Sequence, residues 1–216
     1  MKTVSLTINS KPLTAVKGEK ILWVALDNGI YIPNLCAIKD KLHPFAACRL
    51  CFVEVEGKAH PVCACTEEVA EGMVVNTRGD RALELARTGF ELIIASHPVD
   101  CAHCSSNGSC ELQKIAKHLG VKLKTNRFRK IMQGLPVDNS NPVLTYDPNR
   151  CVLCGRCVWV CNERLNKGVL GFVNRGFQRV VNTCIDENIV KSKCKDCGEC
   201  VRVCPTGALT SRGNKD

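Results

Sequence analysis

Seventeen of the 216 residues are cysteine, and eight of them form two runs of one design. Cys151, Cys154, Cys157 and Cys161 are spaced C-x2-C-x2-C-x3-C; Cys194, Cys197, Cys200 and Cys204 repeat that spacing, with Pro205 closing the second run. A cysteine content of about 8% raises the question of a disulfide scaffold. The odd count opposes it, as does a chain long enough to bury a core without covalent staples. Met1 is followed by KTVSLTINSKPL, which alternates polar and apolar residues and offers no apolar signal region. No apolar run approaches the ~18 residues that span a bilayer. The expectation is a cytoplasmic protein with reduced thiols, in which grouped cysteines are metal ligands.

The x2-x2-x3 spacing has a specific chemistry. Three thiolates at i, i+3 and i+6 can grip three corners of a [4Fe-4S] cubane, and the fourth ligand arrives from the other run, as in two-cluster bacterial ferredoxins. One cluster is therefore expected on Cys151, Cys154, Cys157 and Cys204, the other on Cys161, Cys194, Cys197 and Cys200. Gly155 and Gly198 are small enough to let backbone amides approach the sulfurs and tune the potential. Asn162 stands where the first run would ordinarily close with proline, and is expected to loosen that turn without removing a ligand. Paired structural zinc ribbons also use CxxC units, but not two runs of four with the x3 step.

Two further groups precede these runs. Cys36, Cys48 and Cys51 are followed by both Cys63 and Cys65; four thiolates would hold a [2Fe-2S] cluster, and spacing alone does not choose between Cys63 and Cys65. A thioredoxin-like dithiol at Cys48 and Cys51 would need a βαβ setting, which the pattern lacks. Next come His97, Cys101, Cys104 and Cys110, with His103 as the rival nitrogen donor. A Cys3His set suits zinc as well as iron–sulfur.

The elements around these groups predict an α+β chain. Val4, Leu6 and Ile8 alternate with polar residues, the turn Asn9–Pro12 follows, and Leu13–Val16 begins a return strand. Ile21 to Leu26 follow helical spacing and stop at Asn28-Gly29. Phe52–Val55 and Met73–Val75 read as strands, and 79–96 as an amphipathic helix with Leu83, Ala86, Phe90, Ile93 and Ile94 on its apolar stripe. A second helix is expected from Glu111 to Leu119. Trp23, Trp159, Cys184 and Cys63 outside a ligand role are expected to pack. Domain boundaries fall at 1–78, 79–126, a connector over 127–145, and 146–216.

The order of these groups, together with the phrase Asn107-Gly108-Ser109-Cys110-Glu111-Leu112-Gln113, resembles the N-terminal electron-transfer region of the large iron–sulfur subunit of respiratory complex I. The same region of iron-only hydrogenases is similar. In length and content, so is the small diaphorase subunit of NAD-linked nickel–iron hydrogenases. The resemblance implies a β-grasp [2Fe-2S] ferredoxin domain, a small helical segment with a His/Cys3 [4Fe-4S] cluster, and a two-cluster bacterial ferredoxin-like domain. It favours Cys65 as the fourth [2Fe-2S] ligand and His97 as the nitrogen ligand. It also implies one [2Fe-2S] and three [4Fe-4S] clusters, relaying electrons between an NAD(P)H-oxidising flavoprotein subunit and a catalytic oxidoreductase subunit. The latter is a hydrogenase, a formate dehydrogenase or part of a transhydrogenase or bifurcating complex. A free-standing polyferredoxin carrier is the alternative.

No G-x-G-x-x-G opens a helix after a strand, and there is no P-loop. The last residues after Cys204 leave no room for a hydrogen-activating domain, so a relay without its own substrate site is expected. The formal charge of +9 permits a zinc-binding nucleic-acid module. Only 10 of 216 residues are Phe, Tyr or Trp, too few for a base-stacking platform, and no nucleic-acid partner is expected. The dense basic stretch Lys122, Lys124, Arg127, Arg129 and Lys130 reads as a solvated connector in preference to a docking strip for an acidic face. Four clusters with the implied ligands would carry about −7 and bring the formal balance to about +2. The basic excess is then counter-charge for the protein's own clusters.

Overall fold

A computed structural model describes residues 2–183, 194 and 197–212. The chain divides into two compact units, Met1–Leu92 with Ile115–Lys122, and Ile93–Lys114 with Leu123–Asp216.

The first unit is a β-grasp. β1 (Thr3–Ile8) and β2 (Lys11–Val16) form an antiparallel hairpin in register from Thr3↔Val16 to Ile8↔Lys11. Its turn is tighter than the sequence suggested: Asn9 and Ser10 alone make it, at φ 51° and 65°, the left-handed pair that a two-residue hairpin requires. Pro12 therefore lies inside β2, where it is tolerated because β2 is the sheet edge in the order β2-β1-β5-β3-β4. β5 (Met73–Asn76) runs parallel to β1, and β3 (Phe52–Val55) antiparallel to β5. β4 (Val62–Cys63), which periodicity did not reveal, pairs Cys63 with Phe52.

α1 (Ile21–Asp27) ends where Asn28 donates from Nδ2 to the Val24 carbonyl (2.9 Å) and Gly29 takes φ 76°. Its Ile21, Leu22, Val24 and Ala25 join Val4, Leu6, Ile8, Val53 and Val75 in one core, with Trp23 packed against it. Each of the large aliphatic side chains contributes about 1.5–3 kcal/mol on burial. α2 (Asp80–Ala95) is capped by β3: the Glu54 carboxylate accepts from the Arg81 and Ala82 backbone amides at 3.1 and 3.3 Å. Ala82, Ala86 and Phe90 are buried along one stripe, while Leu85 and Leu92 face outward. Near its end, Arg87 donates to the Leu119 carbonyl (3.0 Å) at the close of α3 (Glu111–Leu119).

In the second unit, β6 (Leu144–Tyr146) pairs antiparallel with β9 (Leu209–Ser211). Both cysteine runs lead into short helices, α4 (Arg156–Trp159) and α5 (Glu199–Val203). A hairpin of β7 (Leu170–Val173) and β8 (Val180–Thr183) lies between the runs in sequence. Leu144, Tyr146, Cys157, Cys161, Leu170, Val181 and Leu209 share one buried cluster. Trp159 is buried. Cys184 lies outside the described residues. The basic stretch is mostly exposed, although Lys130 donates to the Ile94 carbonyl at 2.9 Å, a favourable place for a cation at the C-terminal end of α2.

Candidate metal centres

No disulfide joins the 16 described cysteines. In the first unit, the chain from Cys36 to Cys51 carries three of the expected thiols. The Cys36 and Cys48 sulfurs are 3.4 Å apart, and the Cys48 amide points at the Cys36 sulfur (3.5 Å). The loop is tightly wound: Ala46 and Arg49 both adopt left-handed backbone, at φ 49° and 54°, a conformation costly for residues other than glycine. Gly89 of α2 backs the loop, since a Cβ there would lie 2.7 Å from the Arg49 carbonyl oxygen. The contact with Cys48, followed by burial, pushes the Cys36 thiol above its usual range. Cys51 touches both Cys63 and Cys65; the Cys63 contact pulls its pKa down, but Cys65 and burial outweigh it and push it up to about 12. Cys65 is 1% exposed. Cys63 is committed to β4, and its sulfur accepts from the Arg49 guanidinium at 3.4 Å.

His97 follows α2, its amide bonded to the Ile94 carbonyl (3.2 Å). Cys101 opens a 3-10 turn, Cys101–His103, and Cys110 immediately precedes α3. His97, Cys101, Cys104 and Cys110 together line one cavity. The His97 Nδ1 is buried there without a hydrogen-bond partner. Burial first, then Arg150 and Lys130, hold the imidazole pKa down to about 4 against the opposing Asp147, so the ring stays neutral and able to ligate. The rival His103 is 82% exposed at its side chain and bonded to Asp100 (2.9 Å). Gly207 borders this cavity: a Cβ there would lie 2.8 Å from the Cys104 sulfur and 3.3 Å from the Ser106 hydroxyl. Arg150 also reaches Cys104 while pairing with Asp147 at 2.9 Å.

Cysteines of the two long runs lie together in one cluster. Cys161, Cys194, Cys197 and Cys200 line one cavity. Burial, then Cys194, Cys197 and Cys161, push the Cys200 thiol up to about 12. In the other set, burial first, then Cys151 and Cys204, push Cys154 up to about 12. Cys157 rises for the same reasons, against Cys154, Cys151 and Cys204, and also against Cys200 of the first set. Each run turns on left-handed backbone ahead of its helix, at Gly155 (φ 78°) and Gly198 (φ 71°), and Leu153 joins the first turn at φ 52°. The Leu153 amide thereby points at the Cys151 sulfur (3.4 Å). Asn162 does not loosen its turn: Val160–Arg164 winds as a π-helical turn, and the Asn162 amide donates to the Leu170 carbonyl (2.9 Å), tying it to β7.

Among the described residues, no three His, Cys, Asp or Glu donors converge on a single-ion position. Clusters hold their thiolates around a larger core. Crowded, buried thiols that resist ionising next to one another fit a group that brings its own positive iron.

Fold and donor sets define a mixed-cluster iron–sulfur protein. Three family models match it in order: a 2Fe-2S iron-sulfur cluster binding domain over residues 1–80, the NADH-ubiquinone oxidoreductase-G iron-sulfur binding region over 87–124, and the NADH-quinone oxidoreductase subunit 3 ferredoxin-like domain over 141–210. The chain is homologous to the NADPH-Fe(3+) oxidoreductase subunit alpha of Geobacter sulfurreducens, 37% identical over 97% of this chain and 24% of that protein. It is likewise homologous to the NADP-reducing hydrogenase subunit HndD of Solidesulfovibrio fructosivorans, 36% identical over 97% of this chain and 36% of that protein. It thus spans about a quarter to a third of the length of these relatives. A chain in the crystal structure of NAD+-reducing [NiFe]-hydrogenase in the H2-reduced state superposes with a TM-score of 0.84 at 28% identity, covering 98% of this chain and 88% of that one.

Proposed function

We propose that this chain is the electron-relay part of a multisubunit NAD(P)-linked oxidoreductase in the cytoplasm. In this reading it holds one [2Fe-2S] cluster on Cys36, Cys48, Cys51 and Cys65. It holds three [4Fe-4S] clusters: on His97, Cys101, Cys104 and Cys110; on Cys151, Cys154, Cys157 and Cys204; and on Cys161, Cys194, Cys197 and Cys200. The observation that carries it is the pair of cavities, each walled by the four donors that spacing and family resemblance had grouped. Each cluster supplies one-electron chemistry that amino-acid side chains lack.

The chain's own residues fix the sites and their potentials. Amides aimed at the Cys36 and Cys151 sulfurs stabilise negative charge there. His97 replaces a thiolate by a neutral ligand, which removes one negative charge from its centre and eases reduction. The Arg49 and Arg150 guanidinium groups sit against the Cys63 and Cys104 sulfurs and add positive charge beside the sites. Among the described residues no helix is long and apolar enough to cross a membrane. The proposed partners are an NAD(P)H-oxidising flavoprotein subunit and a catalytic oxidoreductase subunit, assigned by likeness to relatives whose names carry NADPH, NADP and NAD+.

The test is an anaerobic mixture of the purified protein with the flavoprotein that copurifies with it. Added NAD(P)H should bleach the cluster absorbance as dithionite does. Clusters that respond to dithionite but to no NAD(P)H-fed flavoprotein would end this reading. A protein that elutes alone and accepts electrons from several unrelated flavoproteins would replace it with the free-standing carrier.

A further inference from the structure

Cys104 and Cys110 are separated by five residues, against two between Cys101 and Cys104. The five, Ser105-Ser106-Asn107-Gly108-Ser109, are small or polar, and all but Ser106 are exposed. They bring no apolar side chain to fix the loop, yet the loop has to return Cys110 to the cavity that His97, Cys101 and Cys104 line. A free segment of this composition has many conformations to lose. Gln113, in the first turn of α3, folds it back. The Gln113 Oε1 accepts from the Gly108 amide, and its Nε2 donates to the Asn107 Oδ1, both at 2.8 Å. A backbone N–H can only donate, so the Gly108 contact decides which end of the Gln113 side chain faces Asn107. The bonds continue on either side. The Asn107 amide donates to the Cys104 carbonyl (2.9 Å), and the Gln113 amide donates to the Cys110 carbonyl (3.1 Å). A chain of hydrogen bonds thus runs from Cys104 through Asn107 and Gln113 to Cys110. Both Asn107 and Gln113 border the cavity.

We propose that Gln113 is the positioning residue of the His97 centre: its side chain sets the separation of Cys104 and Cys110 and so holds the third thiolate against the cluster. The inference rests on the assignment of His97, Cys101, Cys104 and Cys110 as ligands above. In the two long runs the first three cysteines are each two residues apart, and turns at Gly155 and Gly198 suffice to place them. The longer Cys104–Cys110 step has no such short turn to define it. The bracket from α3 supplies the definition, because a helix is a rigid frame and Cys110 immediately precedes it. Partners behind the ligands hold them in place, and their loss is felt as weaker metal binding.

Gln113→Leu removes both side-chain bonds and does not weaken the helix, since leucine is as good a helix former as glutamine. Anaerobically purified protein is mixed with an excess of a ferrous-iron chelator. The variant should release about four iron atoms per chain about tenfold faster than the wild type, and the rest at the wild-type rate. The EPR line shape of the reduced centre that disappears in Cys110→Ala should change, while the other signals overlay. Asn107→Ala breaks the same chain from the loop side, so the double variant should release iron no faster than Gln113→Leu alone. Wild-type release and line shape in Gln113→Leu refute the bracket and leave the relay reading standing, and so do additive effects in the double variant. If Gln113→Leu fails to load the centre, Asn107→Ala alone decides: faster release of the same iron supports the bracket, and wild-type release refutes it. Retention of every EPR signal in Cys110→Ala refutes the ligand assignment instead.

Discussion

Replacing Cys204 by alanine should cost the protein the cluster of the other cysteine run. Cys204 belongs in sequence to the group that begins at Cys194, yet its charge acts on Cys151, Cys154 and Cys157. With three thiolates left, the cubane loses a corner ligand and iron content should fall by about four atoms per chain. The sign of crossed ligation is which spectrum disappears. The EPR spectrum of reduced Cys204→Ala should coincide with that of Cys154→Ala and differ from that of Cys197→Ala. Coincidence with Cys197→Ala would mean that each run closes its own cage.

The second large effect comes from a residue with no ligand chemistry. Gly207→Ala places a methyl group 2.8 Å from the Cys104 sulfur and 3.3 Å from the Ser106 hydroxyl. Something must give. The Gly207 backbone is not in the left-handed region, so alanine brings a steric conflict and no conformational one. Overpacking of this kind costs about 1–3 kcal/mol, and here the atom that must move is a thiol at the His97 site. The expected result is loss of about four iron atoms per chain with the remaining EPR signals retained. Full iron content and an unchanged spectrum would show that the site yields to the methyl without consequence.

These two predictions mark where the sequence was legible and where it was not. Cysteine spacing is a local property, so the two runs at Cys151 and Cys194 stood out directly, as did the hairpin of alternating Val4, Leu6 and Ile8, whereas the choice of His97 over His103 came from the family resemblance. What surrounds a ligand is set by distant segments. Gly207 abuts Cys104 and Gly89 abuts Arg49 only after strands have paired and helices packed. β4 was missed because two residues carry no period. The β7–β8 hairpin had a signal in the apolar residues on either side of Asn174-Arg175-Gly176, but the cysteine runs flanking it dominated the pattern. Asn162 misled for a different reason. The absence of proline suggested a looser turn, whereas the amide side chain bonds to the Leu170 carbonyl and replaces the constraint by another.

Cys63 shows the limit of spacing most clearly. It lies two residues from Cys65, both are buried, and both contact Cys51. What separates them physically is that Cys63 sits in a paired strand with a guanidinium on its sulfur, while Cys65 follows in the turn after it.

The central claim is that the cysteines wall iron–sulfur cages, and metal content tests it most directly. Protein isolated without exposure to oxygen should be brown, with about 14 iron atoms and as many acid-labile sulfides per chain, one [2Fe-2S] and three [4Fe-4S] clusters. A colourless protein carrying zinc alone would contradict it.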